Sequence, residues 1–251
     1  MGRFDDKVVL VTGASTGIGR ASAQRLANEG ASLFLLDINQ PDLDAHVVTL
    51  NEQGVDVGSA VVDVRSDAQV AAAVLECVER FGRLDGLANI AGVQTWRRSH
   101  EITTEDFRRD IDINLIGTFI VCREAIPHLL ESRGAIVNMS STTAFAGIPY
   151  SAAYSASKGG VLAMTRSLAI EYAKEGLRVN CICPGGIRTP MTDGAMAQFP
   201  EGADMQLLLR QMSLDGQGEP EDIANMVAML LSEEARHVNG TSITIDGAAT
   251  A

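Results

Sequence analysis

The chain has 251 residues, 46% of them hydrophobic, and a formal net charge of −12 at pH 7. That length and apolar share suffice for one large α/β domain. The acidic balance repels phosphate backbones, which argues against nucleic acid as a partner and more weakly against an acidic carrier protein. No run is long and apolar enough to read as a membrane span, and the segment Met1 to Lys7 lacks an apolar signal region, so a cytoplasmic protein without a membrane partner is expected. Cys77, Cys122, Cys181 and Cys183 show neither Cys-x-x-Cys spacing nor a nearby His pair, which excludes a zinc site and suits a reducing compartment.

In chain order, Lys7–Val11 reads as a continuous apolar strand, followed by the turn Thr12-Gly13-Ala14-Ser15-Thr16-Gly17-Ile18-Gly19. A helix is predicted from Gly17 to Asn28, with Gly30 as its stop. Strand, glycine turn and helix together form the context of a dinucleotide site. Gly13 permits the tight turn, Gly17 and Gly19 let the backbone approach a pyrophosphate, and the free N–H groups at the helix start face it. The second strand, Ser32–Leu36, ends in Asp37, whose carboxylate suits both ribose hydroxyls and repels a 2′-phosphate. Ser15, Thr16, Ile38 and Asn39 offer no cation for such a phosphate, so NAD is expected rather than NADP.

Pro41 opens a helix to Gln53, Gly58–Val62 is a strand, and Ser66 caps a helix over Asp67–Phe81. Asp63 and Val64, at the end of the third strand, are expected against the adenine. Leu84–Asn89 is a strand, Thr104–Glu131 a helix bent at Pro127, Ala135–Met139 a strand and Ser151–Lys174 a long helix. Arg178–Cys183 is a strand, with Cys181 and Cys183 as buried thiols on one face. Glu219-Pro220 opens a last helix to Ser232, and Ser242–Ile245 is a final strand. Strands buried on both faces and linked by helices imply a doubly wound parallel sheet of seven strands, in a single domain over residues 1–251. The segment 189–218 stands apart, with Met191, Met196, Phe199, Met205 and Met212 among Gly, Asp and Gln; it reads as a lid over an apolar pocket.

Tyr154 and Lys158 are four residues apart on the predicted long helix, and so share a face. An ammonium beside a phenol favours the phenolate, and a lowered Tyr pKa makes a proton shuttle near neutral pH.

With the glycine turn, a Ser pair at Ser140-Ser141 and Tyr154-x-x-x-Lys158 in this order, the chain resembles the short-chain dehydrogenase/reductase family over almost its whole length. Asn89-Ile90-Ala91-Gly92 is similar to the family's Asn-Asn-Ala-Gly stretch, with Ile90 in place of the second Asn and Asn89 the one positioned to brace the sheet, and Asn114 matches its helix Asn. Ser141, thirteen residues before Tyr154, has the family's spacing, and Pro184-Gly185-Gly186-Ile187-Arg188-Thr189 is similar to the stretch that closes over the nicotinamide. The resemblance implies Tyr154 as proton donor and acceptor, Ser141 steadying the substrate oxygen, and Lys158 lowering the Tyr154 pKa and holding the nicotinamide ribose. It implies Asn114 holding a water beside Lys158. It adds Asn89, Ala91, Gly92, Pro184, Gly185, Ile187 and Thr189 to the cofactor site, and a small-molecule secondary alcohol or ketone as substrate.

Gln94, Trp96, Thr143, Phe145, Tyr150, Gly185 and Gly186, with the lid, are expected to wall the substrate pocket, while Arg97 and Arg98 are read as a solvated pair. A 3-oxoacyl thioester reductase is the competing enzymatic reading, against which Asp37 and the acidic balance count; a non-catalytic cofactor-binding scaffold is the other alternative, against which the intact Asn114, Ser141, Tyr154 and Lys158 count. Small residues after the last strand, apolar residues on several faces of the two long helices, and the resemblance itself predict a homotetramer, or at least a dimer across those two helices.

Overall fold

The computed structural model describes residues 2–193, 198–209, 212–213 and 216–251. Among them one sheet carries seven strands: β1 Val8–Thr12, β2 Ser32–Asp37, β3 Val57–Val61, β4 Gly86–Asn89, β5 Ala135–Met139, β6 Arg178–Pro184 and β7 Ser242–Ile245. Each pairs in parallel with its neighbours in the order β3-β2-β1-β4-β5-β6-β7. The helices are α1 Gly17–Asn28, α2 Gln40–Glu52, α3 Asp67–Phe81, α4 Thr104–Ile111, α5 Thr118–Ser132, α6 Ala152–Glu171, α7 Met205–Leu209 and α8 Pro220–Leu231.

The apolar strands follow from burial on two sides. Alternate residues of a strand face opposite sides of the sheet. Val9 and Val11 of β1 join one core with Ala23 and Leu26 of α1 and Ile223 and Val227 of α8. Val8 and Leu10 join the other, with Val70 and Val74 of α3 and Val121 and Leu129 of α5. Each such aliphatic side chain contributes about 1.5–3 kcal/mol on burial. Helix starts follow local chemistry: Asn39 accepts the Asp42 N–H ahead of α2, Ser66 accepts the Gln69 N–H ahead of α3, and Glu219 and Asp222 form a reciprocal capping box on α8.

The expected Thr104–Glu131 helix departs from α geometry, but not at Pro127. A π-helical segment, Asp112–Gly117, separates α4 from α5, while Pro127 lies inside α5 on its exposed side. Such π segments commonly mark functional positions. Here two packing demands meet in six residues. The Asn114 side chain is bonded to the Val93 backbone, and a Cβ on Gly117 would lie 2.6 Å from Val64 Cγ2. The stretch Thr104–Ser132 does have the length and hydropathy of a membrane span, contrary to the reading of the bare sequence. Its apolar residues Val121, Ala125 and Leu129 are buried in the second core, which accounts for that hydropathy without a membrane.

The topology places the site. From β1 the chain runs outward through β2 and β3, then returns to β4 on the other side of β1. The connections leaving β1 and β4 diverge to opposite faces, and a crevice opens at their carboxyl ends. β7 forms an edge of the sheet, with Ile243 and Ile245 only partly buried.

Candidate active site

A cleft of about 910 Å³ opens at that switch point. Behind its floor lies Thr12, the buried last residue of β1, whose hydroxyl accepts the N–H groups of Ile90 at 3.0 Å and Ala91 at 3.1 Å. The β1 and β4 turns are thereby tied together. Gly13 has φ +67°, and a Cβ there would lie 2.8 Å from the Ala91 nitrogen; one on Gly19 would lie 1.9 Å from the Gly13 carbonyl oxygen. Only glycine permits this approach of turn, helix and neighbouring strand. No side chain caps α1, and Gly17, Ile18 and Gly19 of its first turn line the cleft with Ser15 and Thr16. An uncapped helix start carries unsatisfied N–H groups and the positive end of the helix dipole.

At the end of β2, one Asp37 carboxylate oxygen accepts the Ser15 N–H at 3.0 Å and the other accepts the Asn39 N–H at 2.9 Å. The carboxylate is thus held in place with lone pairs remaining toward the cleft. Asp63 and Val64 also line it, but both Asp63 oxygens are engaged by the Arg65 guanidinium, whose hydrogen bonds hold the carboxyl below its usual range. Asp63 and Val64 thus reach the cleft as expected, with the Asp63 carboxylate tied to Arg65. Uncapped amides, a glycine cradle and an anchored strand-end carboxylate fit a nicotinamide dinucleotide: pyrophosphate against α1, ribose hydroxyls at Asp37.

Asn89 braces the sheet, as expected, but is no part of the cofactor site. Its side chain does not line the cleft; it is buried, donating to Asn138 Oδ1 at 2.9 Å and to Cys122 Sγ at 3.2 Å. Asn138 in turn donates to Thr165 Oγ1 at 3.0 Å, so a polar ladder braces β4, β5 and α6. Ile90, the departure from the family stretch, is the residue that faces the cleft, beside Ala91 and Gly92.

At the far end, Ser141 follows β5, and Tyr154 and Lys158 stand in the first two turns of α6. All three line the cleft, the Ser141 hydroxyl accepts the Thr143 N–H at 3.2 Å, and that hydroxyl lies near enough to the Tyr154 phenol to favour its ionised form. Lys158 Nζ donates to the Met139 carbonyl at 2.8 Å and lies 5.6 Å from the centre of the Tyr154 ring. Burial dominates both titrations: it pushes Tyr154 up to about 12, against the opposing pull of the nearby Ser141 hydroxyl, and Lys158 down to about 8. The expected lowering of the Tyr154 pKa by Lys158 is therefore not met. The desolvation of a phenolate outweighs an ammonium that is bonded to a carbonyl rather than to the phenol.

Asn114 lies in the π segment, fully buried. Its Oδ1 accepts the Val93 N–H at 2.8 Å, and its Nδ2 donates to the Val93 carbonyl at 2.9 Å and to Ser157 Oγ at 3.0 Å. A Cβ on Gly92 would meet Asn114 Oδ1 at 3.0 Å and Lys158 Nζ at 3.4 Å, so the two side chains converge on that glycine. With its side chain engaged on Val93 and Ser157, Asn114 braces the β4 turn against α6.

Of the expected substrate wall, Gln94, Trp96, Thr143, Gly185 and Gly186 line the cleft, as do Pro184, Ile187 and Thr189. The Thr143 hydroxyl is buried there without a partner. Tyr150 and Phe145 do not line it, and Phe145 is exposed. Tyr150 adopts φ +65°, and its hydroxyl accepts the Asp204 N–H at 2.8 Å. Arg98 is not a solvated cation: it lies over the Tyr150 ring and donates to the carbonyls of Glu201 at 3.0 Å and Gly202 at 2.9 Å. Trp96 meets Phe199 edge to face, with ring centres 4.8 Å apart. Met191, Phe199, Met205 and Met212 of the segment 189–218 line the cleft, while Met196 lies outside the described residues. Ile113 and Ile148 complete the apolar wall unannounced by any motif.

The family model described as enoyl-(acyl carrier protein) reductase matches residues 13–250. The chain is 40% identical over 257 residues to levodione reductase of Leifsonia aquatica, covering 99% of this chain and 96% of that protein. It is 37% identical over 267 residues to 3beta-hydroxysteroid dehydrogenase of Mediterraneibacter gnavus, covering 100% of this chain and 97% of that protein. The crystal structure of a short chain dehydrogenase from Mycobacterium paratuberculosis bound to NAD superposes with a TM-score of 0.94 at 33% identity, covering 99% of both chains.

Proposed function

The chain belongs to the short-chain dehydrogenase/reductase family, and from that premise we propose that this NAD-linked alcohol/ketone oxidoreductase acts on a compact, mainly apolar secondary alcohol through Ser141, Tyr154 and Lys158. The observation that carries the substrate class is the wall: Trp96, Ile113, Ile148, Phe199, Met205 and Met212 present hydrocarbon, and the polar groups cluster at Ser141, Tyr154 and Thr143. Among the described residues lining the cleft the cations are Lys158 and Arg65, and neither belongs to this wall. The two relatives act, by name, on levodione and on a hydroxysteroid, and both names fit a cyclic, apolar carbon skeleton.

In this reading the nicotinamide, when bound, supplies the two-electron oxidant or reductant. The chain's own groups handle the proton. Tyr154 takes the alcohol proton in oxidation and returns one in reduction. Ser141, which lines the cleft with Tyr154, holds the substrate oxygen beside the phenol. Lys158 holds the nicotinamide ribose and lends the site a positive charge. Asn114 keeps the Val93 backbone and Ser157 in register with Lys158. The segment 189–218 acts as the lid that excludes water. Screening cyclic and acyclic secondary alcohols by the absorbance of the NADH formed tests this; turnover of acyl thioesters alone would overturn it. That second reading draws on the description of the family model, while the net charge of −12 opposes docking to an acidic carrier.

A homotetramer in the cytoplasm completes the proposal. The open edge at β7 and the exposed Phe119 of α5 and Ile170 of α6 support burial against further copies. The four cysteines are free and buried, which suits a reducing compartment.

A further inference from the structure

α4 is a polar helix, Thr104–Ile111, and its one buried residue is an acid, Asp110, with no solvent exposure. A helix packed on its neighbours ordinarily turns an apolar residue inward, and a buried carboxylate is rare unless its oxygens are engaged. Those of Asp110 are: one accepts the Thr95 N–H at 3.0 Å, the other the Thr95 hydroxyl at 2.8 Å. Thr95 sits between Gln94 and Trp96, both on the substrate wall. Asp110 therefore grips the wall from behind without touching the cleft itself.

α4 also packs on α6. The Asp110 charge raises the pKa of both Tyr154 and Lys158 on α6, and Arg109 and Asp106 are the charged neighbours on its own helix. We propose that Asp110 is a positioning residue with two separable actions: through Thr95 it fixes the Gln94–Trp96 wall, and its buried negative charge acts on the Tyr154–Lys158 pair. The charge favours the ammonium of Lys158 and opposes the phenolate of Tyr154, while burial remains the larger influence on both. It thus keeps Lys158 charged at the expense of a more basic Tyr154. Burial in turn raises the Asp110 carboxyl, against the Thr95 hydrogen bonds that favour its charged form.

The inference rests on the oxidoreductase reading above, and two variants separate its parts. Asp110→Asn keeps an acceptor for the Thr95 N–H and offers a donor to the Thr95 hydroxyl, but removes the charge. Thr95→Val removes the hydroxyl contact and keeps the charge. The measurement is alcohol oxidation at saturating NAD as a function of pH, with NADH binding by fluorescence as the check on folding. Asp110→Asn is expected to move the rising limb of kcat to lower pH by roughly half a unit or more, with the alcohol KM within about twofold. Thr95→Val is expected to raise the alcohol KM about fivefold and leave the limb in place. Asp110→Ser serves as the neutral variant if Asp110→Asn does not fold. A limb unmoved in whichever neutral variant folds overturns the action of the charge, and an unchanged KM in Thr95→Val overturns the action on the wall. Wild-type protein that oxidises no alcohol would instead sink the reading on which the inference stands.

Discussion

The Tyr150 hydroxyl accepts the Asp204 N–H at 2.8 Å, so this tyrosine reaches the lid segment from outside the cleft. Arg98 adds two bonds to the neighbouring carbonyls of Glu201 and Gly202. Tyr150→Phe removes one acceptor, worth about 1 kcal/mol. It is expected to raise the alcohol KM about fivefold while kcat stays within about twofold. Arg98→Ala should do the same by a separate contact. Steady-state kinetics decide this, and a KM unchanged in both variants would show that these contacts do not hold the lid.

Tyr154→Phe removes the oxygen that exchanges the proton and leaves the ring packing in place. Turnover should fall by a factor on the order of 10² to 10⁴, with NADH affinity within about twofold of wild type. Stopped-flow turnover and fluorescence titration test the two halves. A variant retaining a tenth of the wild-type rate would remove Tyr154 from its role.

Lys158 carries a stability signature. Its folded pKa of about 8 lies below the ordinary 10.5, so the folded chain loses this proton first as pH rises. Between those values the unfolded chain binds more protons, and stability rises with pH through that window. The depression corresponds to roughly 3 kcal/mol against the charged folded form at neutral pH. Tyr154 acts in the opposite sense: its folded pKa of about 12 exceeds the ordinary 10.0, so its contribution is lost as pH climbs between the two. Lys158→Met should therefore be inactive yet more stable than wild type near pH 7, and should lose the rise in stability above pH 8. Urea denaturation across the pH range measures both, and a less stable variant at neutral pH would contradict the burial cost.

Asp37, held by Ser15 and Asn39, presents a like charge to any 2′-phosphate. NADPH should bind at least about tenfold more weakly than NADH. Asp37→Ala combined with Ile38→Arg should relax or reverse the order. Parallel titrations give the ratio, and equal affinities in the wild type would refute the role of the carboxylate.

Light scattering at micromolar concentration should give a mass near four times 26.6 kDa. A mass of one chain would mean that the exposed Phe119 and Ile170 and the β7 edge face solvent.

What the sequence by itself determined is whatever rests on short spacings and on periodicity. Runs such as Val8–Thr12 and Ala135–Met139 identify parallel strands because burial on both faces leaves little polar alternation to blur them. The glycine turn, Asp37 and the Ser141, Tyr154, Lys158 set were equally legible, since each lies at a strand end or on one helix face. Only the tertiary structure decided which way the intermediate side chains turn. Asn89 faces the sheet interior, Tyr150 faces the lid, Asp63 meets Arg65, and Asp110 is buried where an apolar residue would ordinarily pack. It also decided that Asp112–Gly117, and not Pro127, interrupts the long helix, because the contacts of Asn114 and Gly117 come from segments about twenty and fifty residues away. The Tyr154 pKa turned on the same kind of fact. Sequence spacing places an ammonium one helical turn from a phenol; how much water is excluded around them, and which carbonyl holds the ammonium, depends on packing between β5, α4 and α6.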